Sequence, residues 1–283
     1  GVTDNVADSE KDAFLQIKSF LSYLPQNIYE LSEKVDCNDP IDRKEEELLS
    51  IIPKDRKRSY EMRDIVKLVF DKDSFFEMTK FFGKGIITGF ARINGFPVAI
   101  FANDSNFYAG SMSAEGAQKT SRFIRLCDTF RIPIVSLVDE PGFLIGPDAE
   151  RAGTILHGTE AVLATTESKV PWSTIMIRKS FGVAAAAHYG PDGYVLAWPS
   201  AESGPLPLEG GVAVAFKKEI ASAKNPEAKR KELEEKMAKN QSPFPRAEAF
   251  SVHEIIDPRE TRKYIALWAE RIQSQLKASL MNR

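Results

Sequence analysis

The chain has 283 residues, of which 43% are hydrophobic and 28% are charged. This balance is typical of a soluble globular protein, and the length allows one large hydrophobic core or two smaller ones. The formal net charge of -2 gives no sign of a nucleic-acid partner or of an anionic membrane surface. The two cysteines, Cys37 and Cys127, lie far apart without metal-ligand spacing, which favours a reducing compartment.

The sequence shows no pattern that predicts membrane insertion or a signal peptide. No apolar run reaches transmembrane length, and the first residues lack a signal-peptide pattern. We therefore expect no membrane association. Because the chain starts at Gly1 without an initiator Met, we also expect it to be processed or excised from something longer.

The first 60 residues are predicted to form a helix and a connecting arm. Apolar residues at three- and four-residue steps predict a helix within residues 5–35, ending near Pro25. Residues 36–60 are polar and interrupted by prolines, as in an arm that lies over a neighbour. Its apolar pairs, Leu48-Leu49 and Ile51-Ile52, should be exposed on an isolated chain and promote self-association. We place one domain in residues 61–283.

The start of this domain combines short helices with a hairpin. Residues 62–70 should be helical, and Asp73-Ser74 should cap a second helix that contains Phe75, Phe76 and Met78. Two apolar runs, residues 86–93 and 97–102, flank the dipeptide Asn94-Gly95. This dipeptide is typical of a tight β-hairpin turn.

Strands and helices then alternate, which predicts an α/β fold. Strands are expected at residues 132–138, 173–177 and 193–198, with helices near residues 114–127 and 149–168. The charged run at residues 217–239 should be a solvated helical face, and an amphipathic helix should close the chain. Functional groups should collect where strands end, at residues 139–142 and 179–184.

The second of these strand ends has a turn suited to stabilising an anion. Arg178 and Lys179 follow the strand, and Gly182 precedes four alanines at residues 184–187. Glycine permits a sharp bend and alanine favours a helix. The first N–H groups of a helix have no internal partner and can bind a developing oxyanion. A plain buried β–α corner filled with alanines would give the same pattern.

Side-chain catalysis and metal binding have little support. His157, His188 and His253 are dispersed, and none is followed by a Ser, Cys or acid set typical of a catalytic triad. We expect His157 to pack between helices and His253 to lie on the surface. No His, Cys, Asp or Glu spacing predicts a metal site.

Several stretches of the chain together resemble the carboxyltransferase subunits of biotin-dependent acyl-CoA carboxylases, in particular propionyl-CoA carboxylase β subunits. One reads Val-Asp-Glu-Pro-Gly-Phe-Leu-Ile-Gly at residues 138–146, and another reads Ile-Asp-Pro-Arg-Glu-Thr-Arg at residues 256–262. The full set comprises residues 85–95, 117–128, 138–146, 157–158, 197–202 and 256–262. Their order and spacing match over nearly the whole chain.

The resemblance implies one lobe of a two-lobed subunit. It covers the family's C-terminal half, and residues 1–4 look like the junction after the first lobe, which holds most of the acyl-CoA site. The implied fold is a crotonase-like (ClpP/crotonase) ββα superhelix, a single lobe with a helical N-terminal arm and a C-terminal helix. In the family this lobe faces biotin and pairs with the first lobe of another subunit in a hexameric ring.

The resemblance also implies site residues. Phe181, Gly182, Val183 and Ala184 would bind biotin together with the stretch Pro141-Gly142, and the N–H groups of Val183 and Ala184 would be the catalytic pair. The family turn reads Gly-Gly-Ala-Tyr-Asp, so Val183 replaces a glycine here. The oxyanion hole then requires a negative φ at that residue. Ala186 replaces the aspartate linked to acyl-chain choice, so Ala186 is the expected specificity residue.

The implied activity is carboxyl transfer between carboxybiotin, held on a carrier protein, and a coenzyme A thioester. The implied partners are a biotin carboxyl carrier protein, a biotin carboxylase subunit and further copies of the chain. The implied compartment is the cytoplasm, or the mitochondrial matrix in a eukaryote. Three alternatives stay open: a decarboxylase carboxyltransferase subunit, a non-catalytic assembly subunit, and a biotin-independent crotonase-like enzyme with Glu140 or Glu202 as its acid or base.

Overall fold

A single mixed sheet forms the centre of the protein. The computed structural model describes residues 1–281, apart from the side chain of residue 209. The sheet has eight strands in the order β1-β2-β3-β4-β5-β6-β8, with β7 paired to β5 beside this path. The strands are β1 (Phe76–Met78), β2 (Ile86–Ile93), β3 (Phe96–Asn103), β4 (Ile134–Glu140), β5 (Trp172–Phe181), β6 (Tyr194–Ala197), β7 (Glu202–Gly204) and β8 (Glu254–Ile255). Strands β3 to β6 are parallel to one another.

Eleven α-helices accompany the sheet in the described residues. They are α1 (Glu10–Ser22), α2 (Met62–Val69), α3 (Ala114–Phe130), α4 (Pro147–Arg151), α5 (Thr154–Thr166), α6 (Leu208–Ala215), α7 (Lys217–Ser222), α8 (Pro226–Gln241), α9 (Pro243–Glu248), α10 (Thr261–Arg271) and α11 (Gln273–Met281). None of them is long and apolar enough to cross a membrane. Helices α7 and α8 are mostly exposed, as the charged run in the sequence predicted.

Helices cover both faces of the sheet, so its central strands are apolar on both sides. On β3, Ile100 packs into a core with α2, α10 and α11, whereas the neighbouring Phe101 packs into a second core with α3 and α5. Side chains alternate between the two faces of a strand, which explains this division. The site described below lies at the C-terminal ends of β4 and β5.

The predicted hairpin is confirmed. Strands β2 and β3 are antiparallel, and Ile93 pairs with Phe96 across the turn. Asn94 and Gly95 have φ values of 50° and 77°. Both lie in the left-handed region that this turn type requires.

Two predicted helices are wrong. Residues 76–78 form the edge strand β1, with Phe76 opposite Phe90, because the Phe76 ring packs against Phe20 of α1 and against the sheet. The helix predicted from residue 149 to 168 is divided into α4 and α5. Gly153 breaks it, since its φ of 72° is incompatible with a continuous right-handed helix.

The N-terminal arm lies on the domain, and its expected exposure is largely wrong. Leu48 is only 3% exposed and belongs to the main core, while Ile51 and Ile52 are partly buried against it. Leu49 is 53% exposed. The apolar pairs of the arm are mostly buried because the arm packs against the domain of its own chain. A boundary at residue 60 stays a prediction.

Candidate active site

The C-terminal ends of β4 and β5 are joined by a buried ion pair. Arg178 Nη2 lies 2.8 Å from Asp139 Oδ2, and Arg178 Nε lies 3.0 Å from Asp139 Oδ1. The N–H of Lys179 also donates to Asp139 Oδ1 at 3.0 Å. β5 therefore continues through both cations to Phe181, beyond the predicted end of the strand. The pair therefore fixes the end of β5 relative to β4, immediately before the following turn.

The turn after β5 is tight and leads into a short 3-10 helix. Gly182 has a φ of 66°, a conformation that glycine adopts readily. Val183 follows with φ -72° and ψ -30°, and the 3-10 helix spans Ala184–His188. Thr165 and Thr174 hold its end by donating to the carbonyls of Ala187 and His188, at 2.9 Å and 2.8 Å. The sequence predicted a helix here, and the structure gives a shorter, tighter one.

Two backbone donors at this turn lack acceptors in the described part of the chain. The N–H groups of Val183 and Ala184 donate to no acceptor among the described residues, whereas the N–H of Gly182 donates to the carbonyl of Gly204. The negative φ of Val183 meets the condition set by its branched side chain, because no left-handed strain arises. The Val183 side chain is 69% exposed and the Ala184 methyl group is buried.

A cavity of about 650 Å³ lies beside this turn. It brings Gly182 and Val183 together with Pro141 and Gly142, from the loop that follows β4. Its other walls are mainly apolar and include Phe143, Leu144, Ile145, Ile155, Val162 and Leu206. The Phe143 ring packs on Gly158 of α5, where a Cβ atom would approach it to 2.4 Å. A planar, weakly polar ligand suits such walls.

Three other predicted residues, Phe181, Ala184 and Ala186, are not part of the lining of this cavity. The side chain of Phe181 is fully buried, so it packs inside the protein and does not face the cavity. Ala186 is on the 3-10 helix and lines a second pocket of about 350 Å³, together with Arg246 and Ser203. Ala186, the predicted specificity residue, and Val183 therefore line different pockets, and Gly182 lines both of them.

Glu140 is fully buried beneath the cavity. Its Oε1 accepts a hydrogen bond from the N–H of Gly142 at 2.9 Å, and its Oε2 accepts one from Asn103 Nδ2 at 3.0 Å. Burial raises the pKa of Glu140 to about 8, and these hydrogen bonds offset only part of the rise. The Glu140 carboxyl is absent from the described lining of the cavity.

The remaining candidates do not form a catalytic group. Glu202 pairs with Arg56. His157 contacts Gln118 between α3 and α5, and His253 is exposed beside β6. Among the described residues, no three His, Cys, Asp or Glu side chains are arranged to hold a metal ion.

The profile of the carboxyl transferase domain matches residues 1–282. The chain belongs to this family. The carboxyltransferase subunit of propionyl-CoA carboxylase from Haloferax mediterranei is 37% identical over 283 residues, which cover 98% of this chain and 55% of that protein. The methylmalonyl-CoA carboxyltransferase 12S subunit of Propionibacterium freudenreichii subsp. shermanii is 37% identical over 265 residues, covering 92% of this chain and 50% of that subunit. The chain thus spans about half the length of these relatives.

Solved carboxyltransferases share the fold. Transcarboxylase 12S, described as a hexamer assembly with methylmalonyl-coenzyme A bound, superposes with a TM-score of 0.90 at 35% identity, over 96% of this chain and 53% of that chain. The β subunit of geranyl-CoA carboxylase from P. aeruginosa gives a TM-score of 0.74 at 23% identity, over 96% of this chain and 50% of that chain, a likeness of fold alone. The predicted crotonase-like α/β fold is confirmed.

Sequence reasoning missed the groups that hold the site together. It placed Asp139 and Arg178 at strand ends without pairing them, although opposite charges after adjacent parallel strands were a usable signal. It treated Glu140 and His188 separately, because 48 positions of sequence separate them and only the folded turn brings them close.

Proposed function

We propose that the chain is the biotin-facing half of an acyl-CoA carboxyltransferase, which moves a carboxyl group between carboxybiotin and a coenzyme A thioester. One observation carries this proposal: two adjacent backbone N–H groups, without acceptors among the described residues, lie on the turn whose Gly182 and Val183 line an apolar-walled cavity of about 650 Å³. The cavity suits the biotin rings, and the N–H pair suits the ureido oxygen. Bound carboxybiotin would supply the carboxyl group and accept negative charge at that oxygen.

The chain's own contribution would be electrostatic and steric. The N–H groups of Val183 and Ala184 would donate to the ureido oxygen in a fixed geometry, and a single such donor contributes about 3 to 4 kcal/mol. Pro141, Gly142 and the wall of Phe143 would exclude water from the rings. The enolate of the acyl-CoA would be stabilised by the first lobe of the family's subunit. No nucleophilic side chain is required.

The alternatives have less support. A biotin-independent enzyme needs a positioned acid or base, but Glu140 is enclosed below the cavity and Glu202 is engaged with Arg56. A non-catalytic subunit would require a turn closed by Val183, whose φ is negative and whose side chain lies at the cavity wall. A decarboxylase subunit would use the same site, so the direction of transfer stays open.

The proposed partners follow from the cavity's surroundings. Ile145, Ile155 and Val183 line the cavity and are 83%, 55% and 69% exposed. We expect another copy of the chain, or a lobe of one, to cover this apolar face, and a biotin carboxyl carrier protein to deliver biotin from a biotin carboxylase subunit. A strict monomer at tens of micromolar in light scattering would contradict self-association. The cytoplasm or mitochondrial matrix is the proposed compartment.

Ala184→Pro tests the proposed chemistry in the complete carboxyltransferase. Proline removes one N–H donor, so carboxyl transfer should fall by about a hundredfold or more. Val183→Ala keeps both donors and should stay within a few fold of wild type. Activity of Ala184→Pro within twofold of wild type would contradict the role of the Ala184 N–H as a donor to biotin. The isolated chain should transfer no carboxyl group, because the first lobe of the site is absent from it.

A further inference from the structure

Two buried titratable groups lie directly beneath the two loops of the site. Glu140 and His188 are both fully buried, and Glu140 Oε2 lies 3.8 Å from His188 Nε2. Glu140 ends β4, immediately before the loop that lines the cavity. His188 ends the 3-10 helix that begins at Ala184. Their side chains therefore approach each other from the end of β4 and the end of the 3-10 helix.

The hydrogen bonds of Glu140 fix its orientation. The Asn103 amide is itself oriented, because its Oδ1 accepts a hydrogen bond from the N–H of Asp139 at 2.9 Å. Asn103 Nδ2 must therefore donate to Glu140 Oε2, while the N–H of Gly142 donates to Oε1. The N–H of Met112 also lowers the pKa of Glu140 by a hydrogen bond to its carboxyl, and Oε2 lies 3.8 Å from His188 Nε2.

The imidazole of His188 is held equally firmly. Its Nδ1 lies 2.8 Å from Ser136 Oγ, and its ring stacks on Phe101 with the centroids 4.1 Å apart. Its Nε2 is buried and has no hydrogen-bond partner in the described part of the chain. A buried ring nitrogen without a partner costs free energy, so it favours any approach by Glu140 Oε2.

Ser136, His188 and Glu140 have the order of a nucleophilic triad, but they cannot act as one. Ser136 is fully buried within β4, and its hydroxyl does not line the cavity in the described structure. A nucleophile must reach the substrate carbonyl. The three residues therefore serve the architecture of the site.

We propose that Glu140 and His188 form a buried positioning pair, in which one proton between Oε2 and Nε2 ties the loop at residues 141–142 to the turn at residues 182–184. This inference rests on the proposed function for its catalytic consequence, but the pair itself can be tested without biotin. With the proton present, the Glu140 hydroxyl would close the 3.8 Å gap and donate to Nε2, and the ring would carry its own proton on Nδ1, donating to Ser136 Oγ.

Deprotonation of Glu140 changes which ring nitrogen of His188 carries the proton. Glu140 releases H⁺ to solvent and becomes a carboxylate. The single ring proton then moves from Nδ1 to Nε2, where it faces the carboxylate, and the Ser136 hydroxyl turns to donate to Nδ1. Because burial raises the pKa of Glu140 to about 8 and lowers the pKa of His188 to about 3, both groups are uncharged near neutral pH.

Few other charges act on the pair. Asp139 raises the pKa of Glu140 by its charge, although Arg178 pairs with Asp139. The groups that contact His188 from β3, β4 and β5 are Phe101, Ser136 and Thr174, none of which titrates near neutral pH. A change in the His188 tautomer near pH 8 would thus report the Glu140 proton.

Nitrogen-15 NMR of the histidine rings tests the pair directly. Signals of His157 and His253 are identified by their loss in His157→Gln and His253→Gln. We expect His188 to be protonated on Nδ1 at pH 6 and on Nε2 at pH 9.5. In Glu140→Gln the amide donates to Nε2 at every pH, so the ring should stay protonated on Nδ1. An unchanged wild-type tautomer, or an ordinary imidazolium titration near pH 6.5, would overturn the proposal.

The amide signals of the site test whether the pair positions the loops. In wild type, the N–H signals of Gly142 and Ala184 should shift with the same pH midpoint as the His188 tautomer, and in Glu140→Gln they should not. A tautomer change that leaves both amides unmoved would overturn the positioning role. Neither result depends on biotin, so failure of biotin to bind would count against the proposed function alone.

Discussion

Arg178 and Asp139 meet in a two-pronged ion pair, with Arg178 5% exposed as a side chain and Asp139 fully buried. The pair joins β4 to β5 immediately before the two loops of the cavity. Breaking a buried pair by removing one partner leaves an uncompensated charge, which costs far more than breaking a pair in water.

Arg178→Met should therefore destabilise the protein strongly. We expect the free energy of unfolding in urea to fall by about 3 to 5 kcal/mol, because the buried Asp139 carboxylate loses the cation that pairs with it. Lys67→Met removes an exposed pair with Asp64, whose side chains are 68% and 52% exposed, and should cost less than about 1 kcal/mol. Equal losses in the two variants would show that the buried pair contributes no more than a surface pair.

Ala186→Asp should change which acyl-CoA is used. Ala186 lines the pocket of about 350 Å³ that also contains Arg246, so a carboxylate there would narrow the pocket and alter its charge. We expect the ratio of kcat/KM values for a short and a longer acyl-CoA to change by about tenfold or more in the complete enzyme. Ala221→Asp, at an exposed alanine of α7, is the matched control. An unchanged ratio would remove Ala186 from the specificity residues.

The stability of the fold should depend on pH through Glu140. Its pKa is raised from 4.5 to about 8 in the folded protein. Its contribution to stability is therefore complete below pH 4.5 and is lost as the pH rises through about 8. Glu140→Gln should flatten this decline, which we expect to be on the order of 2 to 4 kcal/mol. Urea unfolding at pH 5, 6.5 and 8 gives the slope, and parallel profiles would contradict the burial of an acid.

The titration of His188 should lower the stability of the fold at acid pH. Burial lowers its pKa from 6.5 to about 3, so its contribution is complete above pH 6.5 and is lost as the pH falls toward 3. His188→Gln should flatten the acid side of the same profile. The two variants thus separate the alkaline and the acid parts of the stability profile, because Glu140→Gln removes the titration of Glu140 and His188→Gln removes that of His188.

Local chemistry explains which elements the sequence could predict. The hairpin was predictable because Asn94-Gly95 specifies its turn within two residues. The end of β4 could be placed closely because the apolar run stops at Val138, whereas β5 continues past the end of its apolar run at Ile177 to Phe181. By contrast, β1 depends on Phe76 meeting Phe20 and Phe90, which is a tertiary contact that overrides local propensity.

The site likewise combines features that the sequence predicts with features that depend on the folded chain. The turn at Gly182 was visible in the glycine and the alanines that follow it, whereas its φ of -72° at Val183 could come only from the folded chain. The Glu140–His188 contact needs the 3-10 helix to fold over β4. No local pattern encodes that distance.

Biotin titration followed by amide NMR tests the central claim most directly. If the N–H pair faces the biotin site, free biotin should bind weakly and saturably to the chain, and the largest shifts should fall on the amides of Val183 and Ala184. Gly142 should respond with them, and Ala184→Pro should weaken binding. Absence of saturable shifts, or shifts confined to the pocket of Ala186 and Arg246, would contradict the account.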